Sequence, residues 1–151
     1  MVEQRSLPGF LKKHRSVYLD TSAFIYLVER HPRYFPACDE LFRAIEAGRT
    51  KASTSTLTLL EILVQPYRQK NDDLVLKFYA LLTTYPHLSW VPMTLNVADR
   101  AAKLRADHGL KTPDAIQAAS AISCGATGIV CNDRAFGKVS AIESLVLDDM
   151  C

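Results

Sequence analysis

Short apolar runs alternate along this chain with longer stretches in which apolar side chains recur every three or four positions. Residues 17–19, 128–131 and 144–147 are brief and aliphatic, as expected of strands buried on both faces. Residues 51–55, rich in Ser and Thr, and residues 88–91 are further strand candidates. Helical spacing predicts elements between them. One is capped by Thr21 or Ser22, carries Phe24, Ile25, Leu27 and Val28, and ends at His31-Pro32. A second spans about 36–47, with Cys38, Leu41, Phe42 and Ile45 on one face and Gly48 as its stop. Others cover 57–67, interrupted near the end by Pro66, then 72–84, then 95–107 ended by Gly109. The last is Ala-rich, over 113–124, with Gly125 beyond it. Strands alternating with helices predict a three-layer α/β/α domain around a mainly parallel central sheet.

Residues 16–151 make that domain, and residues 1–15 read as an extension before it. Pro8-Gly9 is expected to break any regular element there, while Phe10 and Leu11 offer an anchor. The basic run Lys12-Lys13-His14-Arg15 fits either a solvated arm or a phosphate-contacting one.

Length and composition add limits. At 151 residues the chain fits one domain with a substantial core. Apolar residues at 48% and charged residues at 23% describe an ordinary globular protein, and a formal charge of +2 neither demands nor excludes a nucleic-acid partner. Cys38, Cys124, Cys131 and Cys151 form no C-x-x-C pair and no zinc-like spacing with the histidines. No apolar run approaches a membrane span, and the N-terminus lacks a signal-peptide core, so a cytoplasmic location is expected.

The chemistry lies in four acids. Asp20 and Asp133 each stand just past a predicted strand, on the edge where open parallel sheets form their sites. Asp114 opens the Ala-rich helix behind Thr112-Pro113. Glu61 interrupts an otherwise apolar stretch. Each has a plainer role available. Asp20 can cap a helix, Thr58-x-x-Glu61 fits a capping box, Asp114 suits a helix start with Thr112 as cap, and Asn132-Asp133 is turn-prone. Gathered carboxylates repel, so a fold that brings these four together does so around a cation or for catalysis. The pattern points to a divalent-metal site for Mg2+ or Mn2+.

Three segments carry these acids: VYLDTSAFIYLVE, STLTLLEILVQPYR and KTPDAIQAASAISCGATGIVCND. In this order they resemble the PIN-domain family of metal-dependent ribonucleases, most closely the toxin subunits of VapBC-type toxin–antitoxin systems. The resemblance implies that Asp20, Glu61, Asp114 and Asp133 are the acidic metal ligands and catalytic residues. It places Thr21, Ser22 and Asn132 in support around them. It also implies RNA as substrate, products ending in 5′-phosphate and 3′-hydroxyl, a homodimer and a cognate antitoxin. Cys131 departs from the Thr or Ser common in the family before the Asn-Asp pair, and the N-terminus is longer than in many such toxins.

An acidic centre repels RNA, so cations must stand at its rim. Arg43, Arg49, Lys51, Arg68, Lys70, Lys111, Arg134 and Lys138 are the candidates, and Lys111 and Arg134 lead them because each lies close in sequence to a proposed ligand. Three other readings remain open at this level. One is a non-catalytic RNA-binding or regulatory domain of the same fold, and another is an RNA-processing nuclease outside any toxin–antitoxin pair. The third is a phosphotransfer receiver, disfavoured because no second Asp follows Asp20 closely. A dinucleotide-binding enzyme lacks its Gly-rich motif here.

Overall fold

A computed structural model describes residues 6–150. It contains helix α1 (Leu7–Lys13), strand β1 (Ser16–Leu19), helices α2 (Thr21–Val28) and α3 (Phe35–Glu46), and strand β2 (Lys51–Ser55). Helices α4 (Thr56–Arg68) and α5 (Asp72–Thr84), strand β3 (Leu88–Val91), and helices α6 (Leu95–His108) and α7 (Thr112–Ser123) follow. Strand β4 (Gly128–Cys131), a 3-10 helix (Arg134–Lys138), strand β5 (Glu143–Val146) and a second 3-10 helix (Leu147–Met150) complete the order.

The strands form one sheet in the order β3-β2-β1-β4-β5, and every pairing is parallel. Side chains alternate across it with the period of two that strands impose. Val17, Leu19, Val130 and Leu145 enter one core with Phe24, Leu41, Phe42, Phe78 and Leu82 from α2, α3 and α5. Tyr18, Ile129, Cys131 and Val146 enter the other with Val97, Ala101, Ala115, Ala118 and Ala119 from α6 and α7. The Ala positions of α7 let its backbone approach the sheet closely. Gly109, at φ 66°, ends α6 in the left-handed conformation that a glycine adopts without strain.

Two breaks expected from the sequence are absent. Pro8-Gly9 lies inside α1, because Pro8 falls in the first turn, where a missing N–H costs nothing. Ser6 caps that turn by accepting from the Gly9 N–H at 3.2 Å. Leu7, Phe10 and His14 are buried, so the described part of the expected extension is packed onto the domain. An ideal Cβ on Gly128 would stand 2.6 Å from Phe10 Cζ, so the bare backbone at the start of β4 makes room for α1. The rest of that extension, residues 1–5, lies outside the described residues. Pro66 likewise sits buried within α4, which runs on to Arg68.

Among the described residues no helix is long and apolar enough to cross a membrane.

Candidate active site

Strands β1 and β4 are neighbours at the centre of the sheet, with Leu19 paired to Val130. Asp20 follows the first, and Asp133 stands two residues beyond the second. Asp20 occupies the N-cap position of α2 but makes no capping bond through its side chain, so its carboxylate remains available. The expected caps Thr21 and Ser22 instead lie within the helix. Thr21 Oγ1 donates to Glu61 Oε1 at 2.9 Å, and Ser22 Oγ is buried with no hydrogen-bond partner among the described residues.

Glu61 lies in the second turn of α4, whose cap position is Ser55. That excludes the capping-box alternative. Thr58 Oγ1 accepts from Thr54 Oγ1 at 2.8 Å, within a buried network rather than a cap. Glu61 Oε1 also accepts from Gln117 Nε2 at 2.8 Å.

Asp114 sits in the first turn of α7, where Lys111 rather than Thr112 takes the cap position. The helix starts one residue earlier than the sequence indicates, which puts Pro113 at its second position. Asp133 does serve its turn, accepting from the Ala135 N–H at 2.8 Å to cap the 3-10 helix. It also stands beside Asp114, whose carboxyl its charge helps to raise.

Electrostatics ties the four together. Burial, and then the charges of Glu61, Asp114 and Asp133, push the Asp20 carboxyl up to about 7, against the opposing pull of the Thr21 backbone N–H. Asp114 is raised by burial and by Asp133 and Glu61, and Lys111 partly offsets this. Burial pushes the Cys131 thiol up to about 12, with Asp20, Asp133 and Asp114 adding to the shift. Cys131 Sγ donates weakly to the Asp133 carbonyl at 3.5 Å, where a hydroxyl would bond more strongly. One region therefore holds all four acids, although no three are drawn in tightly enough to enclose an ion among the described residues. Hard carboxylate oxygens suit Mg2+ or Mn2+. The donor set fits such an ion.

A family model described as PIN domain matches residues 17–142, which include β4, all of β1 but its first residue, and all four acids. The chain belongs to the PIN-domain family. Among solved structures it resembles VapBC2 from Rickettsia felis bound to a promoter DNA fragment, at TM-score 0.68 and 17% identity, over 87% of this chain and 98% of that one. It also resembles a toxin–antitoxin complex from Klebsiella pneumoniae, at TM-score 0.67 and 19% identity, covering 87% and 97%. VapC20 of Mycobacterium tuberculosis, a Sarcin-Ricin loop cleaving toxin, matches at TM-score 0.59 and 18% identity, covering 75% and 86%. No curated protein matches the chain by sequence.

Within this PIN domain the sequence reading passed over Gln117. It is buried, and its amide joins four elements. Its Nε2 donates to Glu61, to Thr21 Oγ1 at 3.2 Å and to Thr58 Oγ1 at 3.3 Å, while its Oε1 accepts from the Tyr18 hydroxyl. Spacing carries the signal. Gln117 is three residues past Asp114 on one helix face, Thr58 is three before Glu61, and Tyr18 shares the strand parity of Asp20.

Asn132 acts as a tether. Its Nδ2 donates to the Tyr26 hydroxyl at 2.9 Å, and its Oδ1 accepts from the Asp148 N–H at 2.9 Å. The pair Asp148-Asp149, near the end of the described residues, is held in place. Tyr34 donates to Asp148 at 2.7 Å, and Arg134 grips Asp149 through two bonds of 3.0 and 2.6 Å. Arg134 is thus engaged with an acid, whereas Lys111 is exposed beside Asp114.

Proposed function

We propose that the chain is a metal-dependent endoribonuclease and the toxin of a toxin–antitoxin pair. The observation that carries this reading is the gathering of four carboxyls at the edge where β1 and β4 end, in which burial, and then the charges of Glu61, Asp114 and Asp133, raise Asp20 and disfavour its unpaired anion. Asp20, Glu61, Asp114 and Asp133 would hold one or two Mg2+ or Mn2+ ions. Such an ion, when bound, supplies an activated water and neutralises charge on the scissile phosphate.

The chain's own side chains do the rest. Thr21 and Gln117 fix one oxygen of Glu61 and leave the other to face a ligand. Asp133, tied by its turn to Ala135, holds the second acid beside Asp114. Lys111 lowers the repulsion an incoming phosphodiester meets. Cys131 and Tyr18, both buried, keep bulk water from the back of the site.

RNA is the substrate in this reading, the cytoplasm its place, and a homodimer the working form. The solved neighbours include toxins bound to their antitoxins. A protein partner also suits the exposed apolar residues Leu60, Val64 and Tyr67 of α4 with Leu76 and Tyr79 of α5.

The test is cleavage of structured RNA by highly purified protein with and without Mg2+ or Mn2+, alongside Asp20→Asn. Metal-dependent cleavage that Asp20→Asn abolishes is expected. RNA binding without cleavage at any metal concentration would instead make the domain a non-catalytic RNA binder.

A further inference from the structure

The basic run Lys12-Lys13-His14-Arg15 divides in the folded chain. Lys13 pairs with Glu143, and His14 is buried against Thr127, its Nδ1 lying 2.8 Å from Thr127 Oγ1. Lys12 and Arg15 turn instead into a cleft of about 540 Å³ between α1 and α3, where Arg49 joins them from the turn before β2. Leu11 and Ala44 give it an apolar lining, and Glu40 is the one acid in the wall. Three basic side chains against one acidic leave the cleft with a charge of +2.

What marks this surface is the gathering of cations around one cleft. Lys13, Arg33, Arg43, Lys103 and Arg134 are paired with acids, and other exposed cations such as Lys70 and Lys77 stand outside this cleft. Lys12, Arg15 and Arg49 make no ion pair among the described residues, although Glu40 shares their cleft. The wall that carries Lys12 is also fixed in place. Leu7 and Phe10 are buried, and Gly128 admits the Phe10 ring where any side chain would clash. Three cations held around an apolar floor, in a volume typical of small-molecule sites, form a receptor for a phosphate attached to a flat or apolar body.

We infer that the cleft between α1 and α3 binds a nucleotide phosphate, with Lys12, Arg15 and Arg49 on the phosphate and Leu11 and Ala44 under the base or sugar. The cleft opens where β1 and β2 begin, on the sheet edge opposite the four acids, which stand where strands end. The span of a four-residue strand, about 13 Å, separates the two edges. It is therefore a second site, and it does not depend on the nuclease reading. α1 precedes the segment that matches the PIN-domain model, so one wall of the cleft lies outside that segment. The nucleotide is either free or one unit of an RNA chain that reaches past the acidic edge.

Two probes distinguish these sources. Adenosine 5′-monophosphate and a short fluorescein-labelled RNA are titrated into the full chain in chelator, so that no cleavage occurs. Amide NMR shifts locate the monophosphate, and anisotropy reports the RNA. The variants are Arg15→Glu with Arg49→Glu, and Asp20→Asn as a control at the other edge. Thermal melting verifies that each is folded, and Arg15→Gln with Arg49→Gln serves if charge reversal unfolds the chain. Monophosphate shifts at Leu11 and Ala44, with affinity lowered about tenfold or more by the Arg15/Arg49 change and unaffected by Asp20→Asn, support a free nucleotide. No monophosphate binding, but RNA affinity reduced to that extent by the same change, supports a unit of RNA. Binding of both probes that ignores Arg15 and Arg49, or shifts confined to residues around Asp20, overturns the assignment.

Discussion

Gln117 Nε2 donates to Glu61 Oε1 at 2.8 Å, so a neutral amide from α7 orients the one proposed ligand that comes from α4. The same amide accepts from Tyr18, which reaches it from β1. The charged edge of the site thus rests on a buried polar hub that joins the sheet to both helices.

Gln117→Ala should therefore act on stability and on metal affinity together. Leaving Tyr18, Thr58 and Glu61 without their shared partner costs about 1–3 kcal/mol. Loss of an outer-shell bond to a ligand weakens metal binding about 10- to 100-fold. Urea denaturation and Mn2+ titration measure the two effects. A stable variant with unaltered Mn2+ affinity would remove Gln117 from the site.

The raised Asp20 carboxyl makes the metal-free protein pH-sensitive. Between its ordinary value of 3.8 and about 7, the folded chain holds a proton that the unfolded chain releases. Stability is accordingly greatest at the acid end of that window, falls as pH rises through it, and levels off above. The loss is about 2–4 kcal/mol once the remaining solvent exposure of Asp20 is allowed for. A divalent ion replaces the proton, so Mg2+ or Mn2+ should raise the melting temperature more at about pH 8 than at about pH 5. Melting curves with and without metal at both pH values check this, and an equal rise at each pH contradicts it.

Gly128→Ala should loosen α1. The new methyl meets Phe10 Cζ at 2.6 Å and His14 Cγ at 3.0 Å, an overpacking that costs about 1–3 kcal/mol. Adding Phe10→Leu should return part of the loss, because the two positions share one contact. Denaturation of the single and double variants gives the coupling, and strict additivity would mean that α1 does not press on β4.

Lys111→Ala should weaken RNA binding and lower the salt slope by about 0.7 for a single strand. Its charge lies near Asp114, whereas Arg134 already holds Asp149. Arg134→Ala is accordingly expected to change binding less. Anisotropy across a salt series separates them, and equal slopes for wild type and Lys111→Ala would clear Lys111 of any phosphate contact.

The five strands and the apolar faces of α2 to α7 were legible because each obeys one periodicity over several residues, and Gly109 stops α6 where its left-handed φ indicates. The positions of Asp20 and Asp133 at one sheet edge followed from strand order alone. Prolines misled. Pro8 sits where helices need no donor, and buried Pro66 gives up one bond near the end of α4, so neither broke its helix. The Gln117 hub was hidden for another reason. A lone polar residue on an Ala-rich face acquires meaning only when Tyr18 and Thr58 are brought to it, and no local pattern encodes that meeting. The anchoring of Asp148 by Tyr34 and of Asp149 by Arg134 is equally long-range.

The central pairing of β1 with β4 has a consequence for when the protein becomes active. The ribosome delivers Asp20 early, but its neighbour Asp133 arrives only after helices α2 to α7 and strands β2, β3 and β4 have been made. A nascent chain still short of β4 has no strand to lay beside β1 and no completed acid cluster. Synthesis itself thus delays assembly of the four-acid cluster until nearly the whole polypeptide has emerged, and a product truncated before β4 lacks the proposed centre altogether.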